Sequence, residues 1–233
     1  MPYRRLPNTD LARLRALRIA FEKGKELPPF KLAFKQGTLQ KLCSNLPSFE
    51  KTLLECRQAY NKQVNYSQEY KKSLYEIKLY MSHFIQVVNM AIARGDFRNA
   101  DREYFGFKGD QRRVPSFNTE SNVIKWGEKL ITGEAQRILK GLTPVTNPTI
   151  ALVKVKYENF METYRFQKTL QKNLQRCQYK LASSRIIADE IILSIWNEVE
   201  DHFSQLPEEE KRNHARIYGV VYFYRKNELP SQK

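Results

Sequence analysis

Glycine is scarce in this chain, at 9 of 233 residues, and proline adds only 10. With so little to interrupt them, regular elements should be few and long, which in practice means helices. Long apolar runs are missing as well. The longest stretch without a charge, residues 79–93, contains Ser82, His83, Gln86 and Asn89, and a bilayer span needs about 20 predominantly apolar residues. The opening MPYRRLPNTDLARLRALRIAF lacks the apolar core and small-residue cleavage site of a secretory leader. Three cysteines, Cys43, Cys56 and Cys177, show no paired spacing. That suits reduced thiols and a cytoplasmic protein.

The motifs of common chemistries are also absent. The chain holds no HExxH, GxSxG, Walker A or GxGxxG sequence. His202 follows Glu198 by one helical turn, with Asp201 beside it, but the repeated Glu-x-x-His of a di-iron bundle is missing. His83 neighbours an apolar seam, where a structural imidazole is the commoner outcome. The sequence therefore offers no catalytic residue, no metal ligands and no cofactor site, and a non-enzymatic protein is expected.

Positive charge is what the chain has in excess: 40 Lys and Arg against 25 Asp and Glu, a net +15. Residues 1–42 carry ten of the cations and three of the acids. The bias is thus N-terminal, with local patches elsewhere. Such charge informs association and solubility rather than fold.

Helical spacing organises the rest. Asn8 and Thr9 are candidate N-caps for a first helix with Leu11, Leu14 and Phe21 on one side, Arg13, Arg15 and Arg18 on the other, and Gly24 as a stop. Phe30, Leu32 and Phe34 alternate with Lys31, Ala33 and Lys35, which reads as a short strand or extended arm. From Pro47, positions Phe49, Leu53, Cys56, Tyr60, Gln63, Ser67, Tyr70, Leu74, Ile77, Met81, Phe84, Val88 and Ala91 step by four and three without a break. This is the heptad signature of a long bundle or coiled-coil helix. A middle helix is expected from Thr119 to Lys140, a second long helix from about Thr149 to Leu206, and then PEEEKRNHARIYG and the strand-like GVVYFYR.

The expectation is one all-α domain over residues 1–233, an elongated helical bundle built on two helices of about 50 residues. Its parts would be a basic helix and arm (1–46), long helix A (47–95), a connector with the middle helix (96–148), long helix B (149–206) and a short helix with a strand-like tail (207–233). Segments 30–35 and 220–225 would form one small two-stranded element. FEKTLLECR (49–57) also resembles YENFMETYR (157–165), an offset of 108 that pairs Asn89 with Asn197 as well. That is either an old duplication or the likeness that two helices of similar composition share.

One surface stands out. On a helical wheel Arg165, Lys168, Lys172, Arg176 and Lys180 share an arc, opposed by Phe166, Leu170, Leu174, Cys177 and Leu181. Residues 163–188 contain no acid, whereas a generic wet face interleaves Glu with Lys. The face is either the solvated side of a bundle helix or a surface for an anion such as nucleic acid, to which Arg13, Arg15 and Arg18 would add. Zinc-finger spacing, helix-turn-helix and RNP motifs are absent, and only Tyr179 on this face offers a ring for base stacking. The first helix would also suit an anionic membrane surface, although docking by its leucines is the simpler account.

PNTDLARLRALRIAF, YMSHFIQVVNMAIARGD, NPTIALVKVKYENF and IWNEVEDHFSQLPEEEKRNHARIYGVVYFYR together resemble an uncharacterised family of bacterial all-helical proteins with no assigned activity. The resemblance implies a bacterial, soluble, helical protein and transfers no site residue. A scaffold that binds a protein partner or self-associates is expected, with nucleic-acid association as the alternative.

Overall fold

The structure, a computed structural model, describes residues 2–107 and 113–224. Parts of the expected connector (108–112) and tail (225–233) lie outside the described residues, as does Met1. The fold is all-α: α1 (Asp10–Glu26), α2 (Gln36–Arg94), α3 (Glu120–Leu139), α4 (Ile150–His202) and α5 (Glu208–Ile217), with 3-10 segments at Pro29–Lys31 and Asn99–Phe105. Strands β1 (Tyr3–Arg4) and β2 (Tyr222–Phe223) pair antiparallel, Tyr3 against Phe223.

Helices α1 and α3 start at threonine caps. The Thr9 side chain accepts from the Ala12 N–H at 3.2 Å, and Thr119 does the same for Asn122. Each satisfies one of the donors that a helix start leaves free. Gly24 is no stop. It lies inside α1, where a Cβ would come within 2.3 Å of Leu39 Cδ1.

Two expectations at the N-terminal side are corrected. The first long helix begins at Gln36, and Pro47 sits within it. Leu42 and Leu46 are buried and extend the same four-three rhythm upstream, so packing of these leucines outweighs the N–H that proline cannot donate. Segment 30–35 is not a strand either. Proline starts a 3-10 turn, then Leu32, Ala33 and Phe34 are all buried while Phe30 is exposed. Glu198 accepts from the Lys35 N–H at 2.8 Å and from the Thr38 hydroxyl at 2.9 Å, anchoring the start of α2. It is Tyr3–Arg4 that pairs with the C-terminal strand.

Packing divides the chain into two compact units. One joins the chain up to Tyr60 with the chain from Asn173, and the other runs from Asn61 to Lys172. In the first unit, Leu17, Ala20, Leu42, Phe49, Ile192, Trp196 and Val199 share a core. In the second, Ile77, Met81, Phe84, Val123, Leu130, Val153 and Phe160 share another.

The two units are built to one plan. Ten buried positions of α2 recur in α4 at a constant spacing of 111 residues. Leu42 matches Val153, Leu46 Tyr157, Phe49 Phe160 and Cys56 Gln167; after a gap, Tyr70 matches Leu181, Ile77 Ala188, Met81 Ile192, Phe84 Ile195, Ile85 Trp196 and Val88 Val199. Heptad rhythm alone would not reproduce the adjacent pair 84–85 or the gap, which falls at 57–69 in one helix and 168–180 in the other. The order of elements repeats too: Thr-capped short helix, long helix, small helix, left-handed glycine. Those glycines are Gly106 (φ 76°) and Gly219 (φ 88°). The two units thus share one order of elements and one pattern of buried positions, with the register at 111 rather than 108 over the long helices.

Candidate interaction surfaces

Of the cations singled out in the sequence, several are held by acids. Arg13 donates to both carboxylate oxygens of Asp189, at 2.7 and 3.0 Å. Arg18 Nε lies 2.6 Å from Glu50, and Lys168 Nζ lies 3.0 Å from Glu120. That last contact draws the Lys168 ammonium above its ordinary pKa. Arg15, Arg165, Lys172, Arg176 and Lys180 are exposed and form no ion pair among the described residues. Five cations that look alike along a sequence thus split, because α3 brings Glu120 to only one of those on α4.

The opposed arc also differs from the wheel. Phe166 is half exposed and packs edge-on against Tyr66, with centroids 4.6 Å apart. Gln167 takes the buried place in a seam that runs Thr163, Gln167, Leu174, Leu181, and its Oε1 has no hydrogen-bond partner among the described residues. Near the middle of the long helices the stripe is therefore thin, and apolar side chains spill outward.

Apolar side chains also lie open in the first unit, where they line a groove of about 960 Å³. Helix α1 lies along α2 and α4, tied by Arg18–Glu50 to one and by Arg13–Asp189 and Arg185–Asp10 to the other. Its first turn ends level with Arg185, but the apolar seam continues past it. Leu53, Leu54, Cys56 and Tyr60 of α2 and Leu174 and Leu181 of α4 line this extension, with Leu11 and Leu14 at the α1 end. Leu11 is 65% exposed, Leu54 57% and Tyr60 55%. Tyr60 is a heptad position that the sequence assigns to the core, and here it faces open space.

Charge on the rim is uneven. Arg185 is paired with Asp10, whose carboxyl is held below the usual range by that hydrogen bond against the opposing effect of burial. Lys51 and Arg57 carry no ion pair among the described residues. On the groove floor, burial and the adjacent Cys177 thiol push the Cys56 thiol up to about 11. A thiol with so little thiolate character at neutral pH is a packing group.

Corresponding positions in the second unit line a recess of about 600 Å³. Its rim carries Glu128, Glu158 and Glu162 with Arg165, over Tyr157, Met161 and Phe166. Burial and then Glu128 push the Tyr157 phenol up to about 12. Beside it, burial raises the Glu120 carboxyl, but hydrogen bonds from Tyr70 and Lys168 outweigh it and hold it low.

Sequence reasoning missed a buried charge cluster in the second unit. Glu134 and Arg137 are fully buried, 2.6 Å apart, and Asp101 and Arg102 are almost as deep. The second Glu134 oxygen accepts from the Val145 N–H at 2.7 Å, and the Arg137 guanidinium lies 4.0 Å from the Phe97 ring centroid. The i,i+3 pair in GEAQR was the available signal, indistinguishable in sequence from a surface pair. His202 and His214 flank Phe203, at centroid distances of 4.8 and 5.0 Å. Among the described residues no group of three His, Cys, Asp or Glu is placed to hold a metal ion, and no helix is long and apolar enough to cross a membrane. No protein-family model, curated protein or solved structure matches this chain.

Proposed function

We propose that this protein is a non-enzymatic, cytoplasmic interaction protein whose first unit docks a helix of a partner protein. The groove beside α1 carries the reading. Within it, an apolar heptad seam runs on beyond the helix that covers the rest of it, and a seam of this kind is the surface that helix-in-groove recognition uses. A docked helix would lie end to end with α1. The three free thiols suit a reducing setting.

The test is fluorescence anisotropy with a synthetic helix of about 18 residues, Leu at i, i+3, i+4 and i+7 and Gln elsewhere. Saturable binding that Leu54→Asp abolishes supports docking. Binding no better than that of a scrambled peptide contradicts it.

A second reading has its own observation. Lys172, Arg176 and Lys180 face solvent along α4 without a neutralising acid among the described residues, as a polyanion site would. Gel shift with single-stranded and duplex nucleic acid at about 50 mM salt decides it. Affinity that survives changing all three to Glu, or that never registers, removes nucleic acid from consideration.

A further inference from the structure

We infer that the partner helix is acidic: an amphipathic helix whose apolar stripe enters the α1–α2–α4 groove and whose flanking carboxylates meet Lys51 and Arg57. This rests on the docking reading above and adds the partner's chemistry. Shape comes first. Between α2 and α4 the seam already accepts one helix, α1, through Leu17 and Ala20, and beyond its first turn the same two helices present Leu53, Leu54, Tyr60 and Leu174 without a covering element among the described residues. Another helix continues that packing with anchors at helical spacing.

Charge then selects among helices. Arg18 and Arg185 on the rim are already neutralised by Glu50 and Asp10, at 2.6 and 2.7 Å. Lys51 and Arg57 are not. Both are exposed on α2, one turn to either side of Leu54. An apolar anchor seated at Leu54 therefore has a cation on each side, and acids on the docked helix would pair with both. A basic helix would meet like charge at the same two places, and like charge across an interface is the stronger discriminator of partners.

The experiment compares three labelled peptides on the full chain: the Leu-striped helix with Glu flanks, with Lys flanks, and with Gln flanks. The Glu peptide should bind about tenfold more tightly than the Lys peptide, the size that two exposed pairs and the loss of two like-charge contacts supply. Lys51→Glu with Arg57→Glu should invert that order, while Leu54→Asp should abolish binding of all three. Leu54 is more than half exposed, so its substitution leaves the fold intact. Equal binding of Glu and Lys peptides overturns the acidic partner and leaves docking standing. Failure of all three, Gln included, overturns both. Light scattering of the peptide-free chain supplies the remaining outcome: a dimer that Leu54→Asp dissociates puts a second copy in the groove and refutes the proposal.

Discussion

The two units share a frame and differ at its surface. Where the first unit has Arg18, Lys51 and Pro47 on its groove, the corresponding positions in the second are Glu128, Glu162 and Glu158. Leu54 corresponds to Arg165. Meanwhile the buried positions beneath keep their places almost throughout, 111 residues apart. Close packing makes a buried position expensive to move, since even one methylene is felt there. An exposed rim costs little to change, and it is there that the two units differ most.

The cores differ too, and one of those differences gives the largest predicted effect. The second unit buries Glu134 and Arg137 near the end of α3; by the 110-residue spacing of the Thr caps, the first unit has Gly24 and Leu27 near the end of α1. Glu134→Ala takes from the buried Arg137 guanidinium its partner at 2.6 Å and leaves only the Asp101 carboxylate, at 4.0 Å, so it should cost about 3 kcal/mol, measured by urea unfolding.

A smaller contrast lies in the glycines. At Gly133 an added Cβ would meet the Tyr104 carbonyl oxygen at 2.3 Å, which is backbone; at Gly24 it meets only the tip of Leu39. Gly133→Ala should therefore cost about 1–3 kcal/mol, and Gly24→Ala less, because Leu39 can turn away. Equal losses in the same unfolding assay would show that the two short helices are held alike.

Next are the helix starts. Thr9→Ala and Thr119→Ala should each cost about 1 kcal/mol. Asp10 and Glu120, the first residues of α1 and α3, both have lowered carboxyl pKa values in the folded chain. Their contribution is therefore present above their unfolded values, about 3.9 and 4.3, and is lost as pH falls through the lower folded ones. Acid titration of stability should show a loss below about pH 4 that Asp10→Asn reduces; a curve unchanged by the substitution would contradict the Arg185–Asp10 pairing. Smallest of all, Leu54→Asp should alter stability by less than about 0.5 kcal/mol while removing peptide binding.

Much of the frame was legible in the sequence because it depends on period. Heptad spacing located the first long helix, the amphipathic arc at 165–181 marked the second, and Thr9 and Thr119 announced the two short ones. The start of α2 was not legible, since Pro47 imitates a helix beginning and the tie to Glu198 is a contact across 160 residues. Alternation at 30–35 misled for a related reason: three consecutive buried residues in a turn have no period to read. The surface was the least legible part. Basic residues at 165–180 stood out by their missing acids, but which of them an acid reaches depends on where α3 lies. The groove gave no sign at all, because Leu53, Tyr60 and Leu174 read as ordinary seam positions until the end of α1 is known.

Hydrogen–deuterium exchange of the full chain, with and without the Glu-flanked helix, tests the central claim most directly. Exchange should slow over residues 53–60 and 174–185, with residues 157–169 unchanged. Protection at 157–169 in their place, or at neither segment, would contradict it.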